Sequence, residues 1–121
     1  VKSMRIKFVV TAVIGCVVLF GSPASASSPV VEQGKTLYEN RCLHCHGVNA
    51  DGQGELIEHL NVKPANIVGL CMGRPDSCMT DRVLKAVLGR HEVGSKKMPL
   101  LKDYISVEDV YALSEYLKTM R

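Results

Sequence analysis

The sequence predicts an all-α fold, with three to four helices joined by long loops. Apolar residues recur at three- and four-residue intervals in 30–41, 81–89 and 107–120, which predicts amphipathic helices. No stretch shows the convincing alternation of apolar and polar residues that is typical of a half-buried strand. The connecting loops are longer than small domains usually carry, so we expect them to wrap a cofactor.

The first predicted helix spans 30–41 and continues through 42–46, which contains two cysteines and two histidines. Gly47 follows, and we expect the helix to end there because glycine is favoured just past a helix end. The apolar spacing predicts an inward face made of Val31, Gly34, Leu37 and Tyr38.

The middle of the chain is predicted to be mostly loop. A short helical turn is expected over 55–60, and the glycines and prolines of 62–75 predict a loop. Thr80 is a suitable N-cap for the helix over 81–89, and 91–105 is expected to form another loop.

The last predicted helix begins after Ser106. Ser106 and Asp109 have the spacing of a capping box, in which each side chain accepts a hydrogen bond from the other residue's backbone. We expect one apolar face on this helix, made of Val107, Val110, Leu113, Leu117 and Met120.

Residues 1–26 are predicted to be a secretory signal peptide, which makes 27–121 the mature domain. A basic head, an apolar middle and a small-residue end carry this prediction: Lys2, Arg5 and Lys7, then 8–20, then Ala24-Ser25-Ala26. The apolar run is shorter than the roughly 20 residues of a membrane-spanning helix. An uncleaved anchor and a lipoprotein modified at Cys16 are the alternatives.

The net charge argues against nucleic acid as a partner. The chain has 15 basic and 12 acidic residues, but three of the basic residues lie in the predicted signal peptide, so 27–121 is formally neutral. The sequence contains no basic stripe of the kind that would predict nucleic-acid binding.

The predicted domain is small and contains no tryptophan, so its apolar core needs additional stabilisation. A large apolar cofactor can provide it.

Cys42-Leu43-His44-Cys45-His46 is the most specific motif in the sequence. Positions i, i+3 and i+4 share a helix face, so both thiols and the His46 ring point one way and His44 points away. This spacing is typical of covalent c-type haem attachment, with thioethers at Cys42 and Cys45 and with His46 on the iron. A redox disulfide or half of a zinc site is the alternative, although Cys71 and Cys78 lack the paired spacing of further zinc ligands.

Met98 is the predicted second axial ligand of the iron. It precedes Pro99 in a loop just before the last helix, where proline stiffens the backbone. Methionine and histidine together are a common pair of haem ligands. His91 is the alternative and would give two histidine ligands and a lower potential. Met120 is expected to pack in the core, and Met72 and Met79, which each neighbour a cysteine, are expected to be tied into the loop around those cysteines.

The sequence resembles the class I monohaem c-type cytochromes of the small bacterial type. The resemblance is carried by 34–47, by Lys97-Met98-Pro99 and by 109–117, and it covers most of 27–121. It implies a cytochrome c fold, in which three to four helices wrap one covalently bound haem c with its iron.

The resemblance also implies two contacts inside the domain. The first and last helices are expected to cross where Gly34 and Tyr38 pack near Leu113 and Tyr116. A proline carbonyl is expected to accept a hydrogen bond from His46 and orient its ring, and Pro64 is the candidate.

Cys71 and Cys78 depart from the usual pattern of small cytochromes. The turn-forming residues between them can bring the two thiols together, and in an oxidising compartment we expect a disulfide. A redox-active pair and two unpaired thiols are the alternatives.

We expect an electron-transfer protein and not an enzyme, since the sequence shows no catalytic acid, base or nucleophile constellation. The first hypothesis is a periplasmic one-electron carrier with His46 and Met98 on the iron. Its partners would be a donor and an acceptor redox protein, with a membrane-bound redox complex as a further candidate. A fixed haem relay within a larger sulfur- or nitrogen-compound oxidoreductase is the second hypothesis, and a haem sensor or gas-binding domain the third.

Four basic residues lie near the predicted ligand in the sequence: Arg90, Lys96, Lys97 and Lys102. A basic rim around an exposed haem edge would steer an acidic redox partner. Ordinary solvated side chains are the alternative, because steering depends on the three-dimensional arrangement of the charges.

Overall fold

The computed structural model describes residues 26–88, 98–99 and 101–121. Within these ranges the chain forms helices and turns without a strand, so the all-α prediction is confirmed. The helices are α1 Pro29–Arg41, α2 Leu43–His46, α3 Ile67–Leu70, α4 Ser77–Val87 and α5 Val107–Lys118, with a 3₁₀ turn at Ile57–His59. No helix in these ranges has the length and apolar character needed to cross a bilayer. The predicted signal peptide lies almost entirely outside them and stays a prediction.

Helix α1 begins at a polar cap and leads directly into the cysteine motif. The Ser28 side chain accepts a hydrogen bond from the Val31 N–H, and a proline at the first position suits a helix start. The helix does not run on without a break, because Cys42 departs from helical geometry before α2 resumes. Gly47 ends α2 with φ +81°, where a side chain would be strained, as the sequence predicted.

The packing of α1 against α5 forms the centre of the fold. A Cβ atom on Gly34 would lie 1.9 Å from the Ala112 carbonyl oxygen, so only glycine allows this approach of the two backbones. The rings of Tyr38 and Tyr116 are 5.6 Å apart and tilted by 54°. The predicted crossing of the first and last helices is therefore confirmed.

Helix α5 begins with the predicted capping box. The Asp109 N–H donates to the Ser106 hydroxyl oxygen, and the Ser106 N–H donates to the Asp109 carboxylate. The core side of this helix includes Val110, Leu113 and Leu117. The prediction for Val107 is wrong, because it stands in the first turn and is 73% exposed.

The middle of the chain contains more helix than predicted. Helix α3 lies inside the stretch predicted as loop, and α4 begins at Ser77 instead of after Thr80. The early start follows from hydrogen bonds that the Cys78 and Met79 N–H groups donate to the carbonyls of Pro75 and Asp76. Gly89 and 91–97 lie outside the described residues.

The expected disulfide between Cys71 and Cys78 is present. Cys71 follows the last residue of α3, and Cys78 is the second residue of α4, so the bond joins the two helices. Cys71 and Met79 are both fully buried and belong to the same core cluster.

Candidate haem site

One large cleft lies between α2, the segment 59–65, and helices α3, α4 and α5. Its volume is about 820 Å³, within the range of about 300–1,000 Å³ that is common for cofactor sites. Cys42, Cys45, His46 and Met98 all line this cleft. The structure therefore brings together the four side chains that the sequence predicted as haem attachment points and iron ligands.

His46 is buried and held by a single backbone contact of its ring. Its Nδ1 donates a hydrogen bond to the Ala65 carbonyl oxygen at 3.1 Å, which leaves Nε2 as the ring nitrogen that can coordinate a metal. Burial lowers the pKa of His46, and the hydrogen bond to Ala65 only partly opposes it. Burial therefore favours the neutral ring, which is the form that binds iron.

The prediction that Pro64 accepts this hydrogen bond is wrong by one residue. Pro64 lines the cleft, but its carbonyl faces Gly52, where an added Cβ would lie 2.5 Å from the oxygen. The next carbonyl along the chain, that of Ala65, therefore points towards His46. Residue type carries no signal for a backbone acceptor, so the sequence alone does not distinguish the two positions.

Cys42 and Cys45 are both free thiols, whereas Cys71 and Cys78 are bonded to each other. The alternative of a redox disulfide between Cys42 and Cys45 does not hold in this structure, and the bonded pair cannot complete a zinc site with them. Burial raises the pKa of the Cys42 thiol to about 11, and the neighbouring Cys45 adds to the rise.

The backbone of the cysteine motif is fixed by the turn that follows it. N–H groups of Gly52, Gly54 and Leu56 donate to the carbonyls of His46, Cys45 and His44 at 2.9, 3.2 and 3.0 Å. The buried Tyr38 hydroxyl donates to the Gly47 carbonyl oxygen at 2.6 Å. These contacts hold the direction in which the thiols and the imidazole project. His44 points out to solvent and pairs with Glu55, as predicted for a residue without a ligand role.

Met98 is half-buried and lines the cleft together with Pro99. The other methionines of the described ranges lie elsewhere: Met79 is fully buried in the core, Met120 is partly buried against the core, and Met72 is 71% exposed. The prediction that Met79 belongs to a loop is wrong, because Met79 lies in α4. His91, the alternative ligand, lies outside the described residues. His59 also lines the cleft, where the 3₁₀ turn places it.

A sequence model of the cytochrome c family matches residues 31–121, three quarters of the chain and nearly all of its described part. The chain belongs to the cytochrome c family. Members of this family are electron-transfer modules that carry covalent haem c with its iron. The comparison with curated proteins gave no significant match.

The cleft of this cytochrome c domain fits a haem. One wall is apolar, with Val83, Val87, Leu113 and Leu117 facing the space, which suits a flat apolar ring system. Lys63 and Arg82 also line the cleft, and Lys85 does so while paired with Asp81 at 2.8 Å. These cations suit the two propionates of a haem. Lys102 is exposed, and the other residues of the predicted basic rim lie outside the described ranges.

Proposed function

We propose that this cytochrome c is a periplasmic one-electron carrier in which Cys42 and Cys45 bind the haem and His46 and Met98 ligate the iron. The observation that carries the proposal is that all four side chains line one cleft of about 820 Å³. Haem iron, when bound there, supplies a one-electron couple between its ferric and ferrous forms.

The chain's own residues would position the ligands and shield the site. The Ala65 carbonyl orients the His46 ring. The hydrogen bonds that the Gly54 and Gly52 N–H groups donate to the Cys45 and His46 carbonyls keep the attachment points in place. The apolar wall from α4 and α5 keeps water from the site, which is one of the main influences on a haem potential. A thioether sulfur from Met98 would favour a higher potential than a second histidine.

Secretion is supported by two features that do not depend on each other. The basic, apolar and small-residue sections of 1–26 match a signal peptide, and the domain carries a disulfide, as is common in oxidising compartments. A soluble carrier would exchange electrons with separate donor and acceptor proteins. Stable copurification with the subunits of an oxidoreductase would instead favour the fixed relay.

The ligation can be tested by far-red absorption of the ferric holoprotein, where sulfur ligation gives a weak charge-transfer band. We expect the band in the unmutated protein and its loss in Met98→Ala. Met72→Ala is the matched control, because Met72 is exposed and does not line the cleft. Absence of the band from the unmutated protein would contradict the assignment of Met98 as a ligand and would favour His91 instead.

A further inference from the structure

We propose that the Cys71–Cys78 disulfide is a positioning element for the proposed iron ligand His46. The disulfide holds α3 against α4, and α3 in turn holds the Ala65 carbonyl to which His46 donates. The inference rests on the proposed haem ligation and assigns the disulfide an influence on the haem potential, in addition to its effect on stability.

Helix α3 is too short to be stable alone. It has four residues, Ile67–Leu70, and a helix of one turn gains too little to offset the cost of nucleation. Its own cap is the Asn66 side chain, which accepts a hydrogen bond from the Gly69 N–H at 2.8 Å. Gly69 has no side chain and Leu70 faces the cleft, so the second half of the helix packs little against the rest of the protein chain. Other contacts must hold α3 in place.

Two anchors hold the two ends of this helix. At its start, the Ile67 and Val68 N–H groups donate to the Ala50 carbonyl oxygen at 2.8 and 3.4 Å. At its end, Cys71 is fully buried and bonded to Cys78 of α4. Helix α4 is itself fixed to the core by buried side chains: Met79, Val83 and Val87.

The same segment holds the iron ligand's hydrogen-bond acceptor. Ala65 lies directly before the cap residue Asn66, and its carbonyl oxygen is 3.1 Å from His46 Nδ1. Ile67 and Leu70 also line the cleft, so a shift of α3 would move both the cleft wall and the acceptor. Without the disulfide, the end of α3 would be held only by its limited packing, and the Ala50 bonds would be its main anchor.

A carbonyl acceptor on Nδ1 makes an imidazole a stronger donor to iron. The stronger donor favours the ferric form, which carries one more positive charge. Weakening of the hydrogen bond between His46 Nδ1 and the Ala65 carbonyl should therefore favour the ferrous form and raise the reduction potential of the haem. It should also expose the Nδ1 proton to exchange with water.

The test uses the haem-loaded protein with Cys71→Ala and Cys78→Ala combined. At the potential where the unmutated protein is half oxidised, we expect the ferric-to-ferrous ratio of the variant to fall by about threefold. In the ferrous protein labelled with ¹⁵N-histidine, the Nδ1 proton of His46 should exchange about tenfold faster. Ser106→Ala is the control, because it weakens the cap of α5 and leaves both ends of α3 intact.

A second variant acts on α3 without touching the disulfide. Asn66→Ala removes the cap at the start of the helix. We expect the ferric-to-ferrous ratio and the exchange rate to change in the same directions as in the double variant, but by smaller amounts.

If the double variant yields no holoprotein, the disulfide can be reduced in the assembled protein. A water-soluble phosphine converts it to two thiols and becomes the phosphine oxide, with oxygen from water. Exchange of the His46 Nδ1 proton is then measured in the ferrous protein with no oxidant added, because an oxidant would re-form the disulfide.

An unchanged ratio and unchanged exchange in the double variant, or unchanged exchange in the phosphine-reduced protein, would overturn the inference. A change of the same size in Ser106→Ala would also overturn it, because the effect would then follow from lost stability alone. Failure of the unmutated holoprotein to show a reversible one-electron couple would overturn the proposed function instead, so the two failures are distinguishable.

Discussion

The α1–α5 interface and the α3–α4 region line the same protein core but are held together by different means. At the interface, glycine allows two backbones to meet at Gly34 and Ala112, and Tyr38, Leu113 and Leu117 are almost fully buried. In the α3–α4 region, a four-residue helix whose second half packs little against the rest of the chain is joined to its neighbour by a disulfide.

The comparison shows that one part of a small domain can be held in place by apolar packing while another part depends on a covalent bond. Long helices bury enough apolar surface to fix their own relative position. A single helical turn does not, so a covalent bond and hydrogen bonds to a loop carbonyl replace the missing packing. Substitutions that disturb packing should therefore act mainly on the first region, and cleavage of the disulfide mainly on the second.

Gly34→Ala should have the largest effect on stability. The added methyl would overlap the Ala112 carbonyl oxygen and force the helices apart, at a cost of about 3 kcal/mol in the free energy of unfolding. Guanidinium unfolding of the holoprotein measures it. Gly73→Ala is the control, since Gly73 has φ +68° and open space around it, and backbone strain alone should cost about 1 kcal/mol. Equal losses in the two variants would show that the interface is not tightly packed.

Removal of the disulfide by Cys71→Ala with Cys78→Ala should come next. Closing so short a loop restricts the unfolded chain, which corresponds to about 2.5 kcal/mol on the chain-entropy model. The same guanidinium titration measures the loss. Hydrogen exchange should show the larger local change in α3 and at the start of α4, whereas α1 and α5 should keep their protection. Uniform loss of protection over all helices would contradict the division into two regions.

Tyr38→Phe should have a smaller effect, because it keeps the ring contact with Tyr116 and removes only the hydroxyl. The Gly47 carbonyl would lose its buried donor, at a cost of about 1.5 kcal/mol. Thermal unfolding of the ferric holoprotein measures this loss. Tyr111→Phe is the matched control, because Tyr111 lies on the exposed side of α5. Similar melting temperatures for the two variants would show that the Tyr38 hydroxyl contributes little.

Asp109→Asn should have the smallest effect, and its size should depend on pH. The Ser106 N–H, and then Gln33, lower the pKa of Asp109 below its ordinary value. A lowered pKa in the folded state means that the charged form stabilises the fold above the unfolded pKa of about 3.9. That stabilisation is lost as the pH falls through the folded pKa.

The difference in unfolding free energy between the unmutated protein and Asp109→Asn should therefore be present at neutral pH and disappear in acid. Chemical unfolding at a series of pH values measures it. Ser106→Ala serves as the control, because it keeps the backbone N–H that binds the carboxylate, so the same acid dependence should remain in that variant. A difference that does not vary with pH would show that the carboxylate charge is not involved.

The sequence by itself determined the features that depend on residues close together in the chain. The cysteine motif and the capping box at Ser106 and Asp109 are each set by three- or four-residue spacing within one helical turn, and the end of α2 is set by the glycine at position 47. The family resemblance supplied the crossing of the first and last helices, for which Gly34 is the local signal.

Only the tertiary structure decided the contacts between segments that are distant in sequence. It selected the Ala65 carbonyl over that of Pro64, because the acceptor depends on where Gly52 packs. It formed α3 beside a disulfide, and it brought Met98 and His59 to the cleft of the cysteine motif. Local residue preferences cannot determine such features, because their free energy comes from groups that meet only when the chain has folded.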